Sequence, residues 1–328
     1  MKEIAVAVVG VGGMGRTHIE NLRAMDDVVI TDICDKSDNA RQLADELCAD
    51  FYTSYEELLD NTQAQAVLIC TPTFMHYEQV KAVLSHKKYC ICEKPLCLHS
   101  ARAKELYGLA NQNDVFLYVG QVVHFFDEYE LAEQFIREGR YGSLLDAYFC
   151  RLTEQPNWTS GGWFFDCQKS GLIPYDLHIH ELDFIVSLFG PPKNVTIQKG
   201  RADENQSYYN YYRFLYDYDS PTVCAEASWY NSPIPFTQSF RLYFQKAMLI
   251  CDEKGLTLYE REKPPVNLTE REKQGCVSTM INVMPTNAYH KELVHFLSCI
   301  REHVPSGRVG ESQVVSVLET LEQIEDLY

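Results

Sequence analysis

Six residues near the start of the chain, Gly10-Val11-Gly12-Gly13-Met14-Gly15, restrict its fold more than any other feature. They follow an apolar run, Ile4 to Val9, that reads as a strand, and they precede a helix-length segment through Ala24. In a GxGxxG turn at such a junction, Gly10 permits the tight turn, Gly12 removes a side chain where a pyrophosphate approaches, and Gly15 permits close helix packing. Gly13 and Met14 complete the turn, and the first amides of the following helix stabilise an anion there. The competing reading is a glycine turn that is only structural.

Asp35 strengthens the dinucleotide reading. It follows the second apolar run and lies 20 positions after Gly15, where a carboxylate accepts hydrogen bonds from adenosine ribose hydroxyls. A 2′-phosphate would meet that charge, so NAD is preferred, with NADP still allowed because Lys36 can turn inward. The plainer reading of Asp35 is a cap on the next polar turn.

The pattern of the first third is strand, helix, strand. Val28 to Cys34, Ala66 to Cys70, Tyr89 to Cys92 and Val115 to Gly120 read as strands. Asn39 to Cys48, Val80 to His86 and Ala101 to Ala110 read as the helices between them. This alternation predicts parallel strands joined by covering helices. After Val123 the pattern changes: a helix over Phe125 to Glu138, an extended segment Leu144 to Leu152, and a helix Tyr175 to Phe189. Several β segments then run to about Tyr259, before two terminal helices, Asn287 to Ile300 and Glu311 to Leu327. The expected fold class is α/β: a dinucleotide-binding domain of parallel strands, residues 1–123, and a second domain, residues 124–328, whose terminal helices pack back on the first. In Tyr208 to Tyr218, alternation sends Tyr208, Tyr212, Phe214, Tyr216 and Tyr218 to one face and Tyr209, Tyr211 and Leu215 to the other.

Composition narrows the partners. A net charge of -17 would repel a phosphate backbone, so nucleic acid is a poor partner, although a small anion in a local positive pocket is not excluded. No stretch is long and apolar enough to suggest a membrane span, and the Ile4 to Val9 run is too short for an export signal. Among 12 cysteines there is no CxxC pair, so buried or inert thiols are expected rather than a metal site or disulfides. Free thiols and the lack of an export signal favour the cytoplasm.

Two later segments carry chemistry. Glu93-Lys94-Pro95 ends a strand, where Lys94 can stabilise a developing alkoxide beside a nicotinamide ring and Glu93 can tune it; the alternative is a solvated charged turn. Asp176 and His180, four positions apart, share one face of a regular helix, with Asp183 near the same stripe and His178 on another side. His180 can accept a hydroxyl proton while Asp176 orients it. A metal site using His178 and His180 is disfavoured, because oxidation by a nicotinamide needs no metal. Thr71-Pro72 lies beyond another strand end, in the usual ligand crevice, and His76 near it serves equally as a cap or a solvated side chain. Trp158 and the segment Gly161 to Phe165, with Trp163, can line a carbohydrate pocket or pack as an aromatic loop.

These segments, in this order, resemble the family of glucose–fructose oxidoreductase, inositol dehydrogenase and related sugar dehydrogenases over nearly the whole chain. The resemblance implies a Rossmann domain followed by an α/β domain with a largely antiparallel open sheet, and homo-oligomers often formed through that sheet. It assigns Gly10, Gly12, Gly15 and Asp35 to the cofactor, with Gly13, Met14, Thr71, Pro72, Glu93 and Lys94 beside it. Lys94, Asp176 and His180 fall where the family surrounds the reacting hydroxyl, and His124 and Trp163 join the substrate set. The chain departs from the family where Gly171 to Asp176 is less glycine-rich, where His178 replaces a frequent glycine, and where His124 replaces an arginine.

The expected reaction is oxidation of a secondary alcohol on a sugar, inositol or related polyol. Two alternatives remain: a glycosidase that uses bound NAD transiently, and a non-catalytic dinucleotide or sugar sensor.

Overall fold

The computed structural model describes residues 3–157, 162–269 and 286–325. They form two compact units. One gathers the described residues within 1–122 and 275–315, the other those within 123–274 and 316–328.

The first unit begins β1 (Ile4–Val9), α1 (Gly13–Arg23), β2 (Val28–Cys34), α2 (Asp38–Leu47), β3 (Asp50–Tyr52) and α3 (Tyr55–Asn61). It continues β4 (Ala66–Ile69), α4 (Thr73–Ser85), β5 (Tyr89–Glu93), α5 (Ser100–Gln112) and β6 (Leu117–Gly120). The strands form one sheet in the order β3-β2-β1-β4-β5-β6, and every pairing is parallel. β4 and β6 are buried along their whole length, as expected of strands covered on both faces. The order reverses between β1 and β4, which is where a doubly wound sheet opens its ligand crevice. Ser37 and Ser54 cap α2 and α3 by accepting from Ala40 N and Glu57 N. The sequence reading missed β3 and α3, since a three-residue edge strand with no buried side chain leaves no apolar run.

The second unit begins with a 3₁₀ turn, Val122–Phe125, leading into α6 (Asp127–Glu138) and β7 (Leu144–Glu154). A second 3₁₀ turn, Trp163–Phe165, precedes α7 (Cys167–Ser170), and then come α8 (Ile179–Phe189), β8 (Val195–Gly200), β9 (Tyr211–Tyr216) and β10 (Thr222–Tyr230). β11 (Thr237–Phe244), β12 (Ala247–Asp252), β13 (Gly255–Glu260) and β14 (Val266–Asn267) complete the sheet. Its order is β14-β13-β12-β11-β7-β10-β9-β8; only β7 with β10 is parallel among the described pairings. The alternation read from the tyrosine-rich segment holds in β9, where Tyr212, Phe214 and Tyr216 are buried and Tyr211 and Leu215 are exposed. On the buried face, Tyr129 of α6 meets Phe184 of α8 and Phe240 of β11, each at 4.9 Å between ring centroids. Two helices follow, α9 (Ala288–Glu302), which packs on α1 in the first unit, and α10 (Glu311–Glu325).

One expectation is corrected. Tyr175 to Phe189 is not a single regular helix: Pro174–His178 winds as a π turn and only Ile179–Phe189 is α-helical. Pro174 removes an amide at the start of the segment, and the wider turn changes which neighbours share a face.

Candidate active site

The glycine turn divides its work as the motif requires. Gly10 has φ +88°, and a Cβ there would lie 2.9 Å from backbone atoms of Cys70 and Thr71. A Cβ on Gly15 would lie 2.0 Å from the carbonyl oxygen of Gly10. At Gly12 it would meet nothing within 4 Å, and Gly12 is exposed at the N-cap of α1. The two glycines that touch protein are therefore demanded by packing, while the middle one faces open space at the helix start. That cradle fits a dinucleotide pyrophosphate. Gly13 and Met14, in the first turn of α1, are half-buried beside it.

Asp35, at the end of β2, reaches back to this turn. Its Oδ2 accepts from Val11 N at 2.7 Å and its Oδ1 from Ser37 N at 2.8 Å. The carboxylate thus both caps the following turn and braces the glycine loop, and each oxygen keeps a lone pair for a further donor. Thr71 and Pro72 lie on the neighbouring loop after β4, half-buried, with Thr71 Oγ1 donating to Gln79 Oε1 at 2.5 Å.

Glu93-Lys94-Pro95 leaves the end of β5. From Cys90 to Cys97 every residue is buried except Lys94. The Glu93 carboxylate is buried and held by protein groups on both oxygens. Oε1 lies 2.6 Å from Nε2 of the buried His18, and Oε2 accepts from Lys94 N at 3.1 Å. Burial raises the Glu93 carboxyl, but the His18 hydrogen bond and charge, the Lys94 charge and the Lys94 amide outweigh it, leaving the group below its ordinary value. His18 stands on α1, and its ring meets Tyr289 of α9 edge-on at 5.8 Å. The sequence reading missed His18, although it sits three positions after Gly15 and so on the same side of α1.

His76 is unlike its expectation. It is 1% exposed, with Nδ1 2.8 Å from the Pro95 carbonyl oxygen and Nε2 2.7 Å from that of Thr71. It is neither a helix cap nor a solvated side chain.

In the second unit, residues 171–186 are buried at every position but two, Asp176 and His180. Both are half-exposed within an otherwise buried segment, Asp176 in the π turn and His180 in the first turn of α8. Their buried neighbours are held from behind. Glu181 accepts the Arg151 Nε–H at 2.9 Å on both oxygens, with Nη2 2.8 Å from Oε1, a buried ion pair. Asp183 lies 2.5 Å from His124 Nε2, with both residues buried. Asp183 is thus turned inward rather than along the outward pair, and His124, expected at the substrate, is directed at Asp183. His178 stacks on Phe214 at 3.9 Å and 8° and hydrogen-bonds to the Tyr216 hydroxyl. Burial, aided by the Arg151 charge, pushes its imidazolium down to about 3, so it stays neutral. Trp163 is half-buried and lies edge-on to Phe164 at 5.2 Å, which in turn stacks on Trp229 at 5.1 Å. Trp158 and Gly161 lie outside the described residues. Among the described residues, no three His, Cys, Asp or Glu side chains form a group able to hold a metal ion, and no helix is long and apolar enough to cross a membrane.

Comparison with known proteins follows this division. A family model described as an oxidoreductase family with an NAD-binding Rossmann fold matches residues 4–121, and the C-terminal domain model of the same family matches residues 129–250. An uncharacterized oxidoreductase of Streptococcus pneumoniae is 31% identical over 200 residues, 61% of this chain and 54% of that protein. A 2,7-anhydro-N-acetylneuraminate hydratase of Mediterraneibacter gnavus is 29% identical over 203 residues, 62% of this chain and 54% of that protein. The chain thus spans about half the length of the curated relatives it matches. The solved structure of levoglucosan dehydrogenase with NADH and levoglucosan shares the fold at a TM-score of 0.83, with 17% identity, covering 99% of this chain and 97% of that one.

Proposed function

The chain belongs to the GFO/IDH/MocA oxidoreductase family, and on that premise we propose that it oxidises a secondary alcohol of a sugar, inositol or related polyol, with NAD preferred over NADP. The observation that carries this reading is selective exposure: Lys94, Asp176 and His180 are the residues that two otherwise buried segments leave open. Nicotinamide supplies a two-electron acceptor when bound. Gly10, Gly12, Gly13, Met14 and Gly15 hold the pyrophosphate, and Asp35 takes the ribose hydroxyls and disfavours a 2′-phosphate. Lys94 stabilises negative charge on the alcohol oxygen, His180 accepts the hydroxyl proton, and Asp176 holds the hydrogen-bond geometry. Trp163 offers ring surface to the sugar.

The test is purified protein with NAD or NADP against a polyol panel that includes myo-inositol and levoglucosan, with NADH formation as the readout. Lys94→Ala and His180→Ala should each lose most turnover. Normal turnover by both variants sinks the assignments.

A second reading is favoured by one relative's name, since a hydratase changes no net oxidation state. In that case bound NAD is used and restored within one cycle, and product appears without NADH accumulating. We also assign a homo-oligomer, formed through the outward face of the second unit's sheet. Leu215 and Tyr243 on that face are 49% and 48% exposed, and Tyr211 and Tyr259 lie beside them as exposed aromatics. Light scattering on Leu215→Glu should report a smaller assembly than the parent chain. The eleven described cysteines are free, which fits a reducing compartment such as the cytoplasm.

A further inference from the structure

The residues on either side of Lys94 are each held by a histidine from a different helix. Glu93, before it, is held by His18 of α1, the helix that carries the glycine turn. Pro95, after it, is held through its carbonyl by His76 of α4, the helix that follows the Thr71 loop. His76 also holds the Thr71 carbonyl with its other ring nitrogen. Carbonyl oxygens only accept, so both contacts are hydrogen bonds only when the ring carries two N–H groups, and the neutral ring donates to one carbonyl at a time, its tautomer choosing which. Burial pushes the His76 imidazolium down, while the Pro95 and Thr71 carbonyls and the Glu93 charge push it up against that.

We propose that His76 and His18 are positioning residues: His76 sets the Lys94 turn through Nδ1 and the Thr71 loop through Nε2, and His18 sets the same turn through Glu93. The inference deepens the reading of Lys94 as the charge-stabilising residue and rests on it for its functional meaning. Neither histidine contacts substrate in this account. Each acts through the residue it holds.

The two nitrogens of His76 can be removed one at a time. An asparagine amide approximates Nδ1 and a glutamine amide approximates Nε2. His76→Asn keeps a donor for Pro95 and loses the one for Thr71; His76→Gln does the reverse. Two readouts avoid any need for the natural substrate: NADH affinity by fluorescence titration, and the resonance of Lys94 after ¹³C-dimethylation of lysines, assigned by its loss in Lys94→Arg. His76→Asn should weaken NADH about fivefold, the size of one hydrogen bond, and leave the Lys94 signal in place. His76→Gln should shift the Lys94 signal and keep NADH affinity within about twofold. Equal loss of both readouts in the two variants, or no change in either, overturns the proposal. His18 gives a second pair if the first does not fold: His18→Gln keeps the Nε2 donor to Glu93, and His18→Asn loses it. Only His18→Asn should shift Lys94, and matching signals in the two overturn that half. Turnover by Lys94→Ala on the polyol panel judges the role of Lys94 itself and leaves these readouts untouched.

Discussion

Two helix starts in this molecule solve the same problem in opposite ways. α1 opens with glycines and offers a ligand its backbone, with Gly12 exposed and no side chain to cap the amides. α8 opens through a π turn and offers side chains, Asp176 and His180, while everything around them is buried. The first needs space; the second needs support. That support is polar and buried, in the Arg151–Glu181 ion pair and the His124–Asp183 contact on neighbouring residues of α8. A backbone cradle is set by what is missing, whereas a side-chain site is set by what stands behind it.

The largest expected effect breaks the side-chain half of this contrast. His180→Ala should lower kcat by about 10²–10⁴-fold, the usual contribution of a positioned base, with the cofactor affinity of the first unit unchanged in an NADH titration. Next in size is the support. Glu181→Gln leaves Arg151 buried with half a partner and should cost about 3–5 kcal/mol in chemical denaturation. A cost near zero would mean the pair is replaceable and α8 needs no charged backing. The backbone half is tested by two glycines. Gly15→Ala must push against the Gly10 carbonyl and should lose about 1–3 kcal/mol together with NADH affinity. Gly12→Ala meets no protein atom, so it should keep parental stability and lose NADH affinity alone. If both variants behave alike, the division of labour within the turn is wrong.

A pH slope comes from His178. Its folded value of about 3 lies below the ordinary 6.5, so between these values the unfolded chain binds more protons. The stabilisation is full above about pH 6.5 and is lost as pH falls, by up to about 1.4 kcal/mol per unit. His178→Phe keeps a ring against Phe214 and removes the titration, so its urea midpoints at pH 7 and pH 5 should differ less than those of the parent chain.

The contrast also explains what the sequence made readable. The glycine turn was legible because its demands are local: three glycines at fixed spacing between an apolar strand and a helix. Lys94 was legible as a lone cation at a strand end. Asp176 and His180 were named from a four-residue spacing that assumed a regular helix, and the winding differs at that point. What supports these groups was hidden by distance along the chain. His18 and Glu93 are 75 residues apart, and Arg151 and Glu181 are 30 apart, so no local pattern joins them. Glu93 and His124 were assigned to the cofactor and substrate sets by resemblance, which carries no information about the buried partners, His18 and Asp183, that hold them. His76 was undervalued because one of its carbonyl partners lies 19 residues away on another strand's loop.

Tyr289, which packs against His18 behind the Lys94 turn, belongs to the first unit but is encoded long after it. At ordinary elongation rates it leaves the ribosome roughly 10–30 s after Val122. A nascent chain can therefore complete its parallel sheet early, yet the wall behind His18 waits until residues 123–274 have been translated. Biosynthetic order makes the cofactor half of this protein the first to start, and splits its completion around the synthesis of residues 123–274.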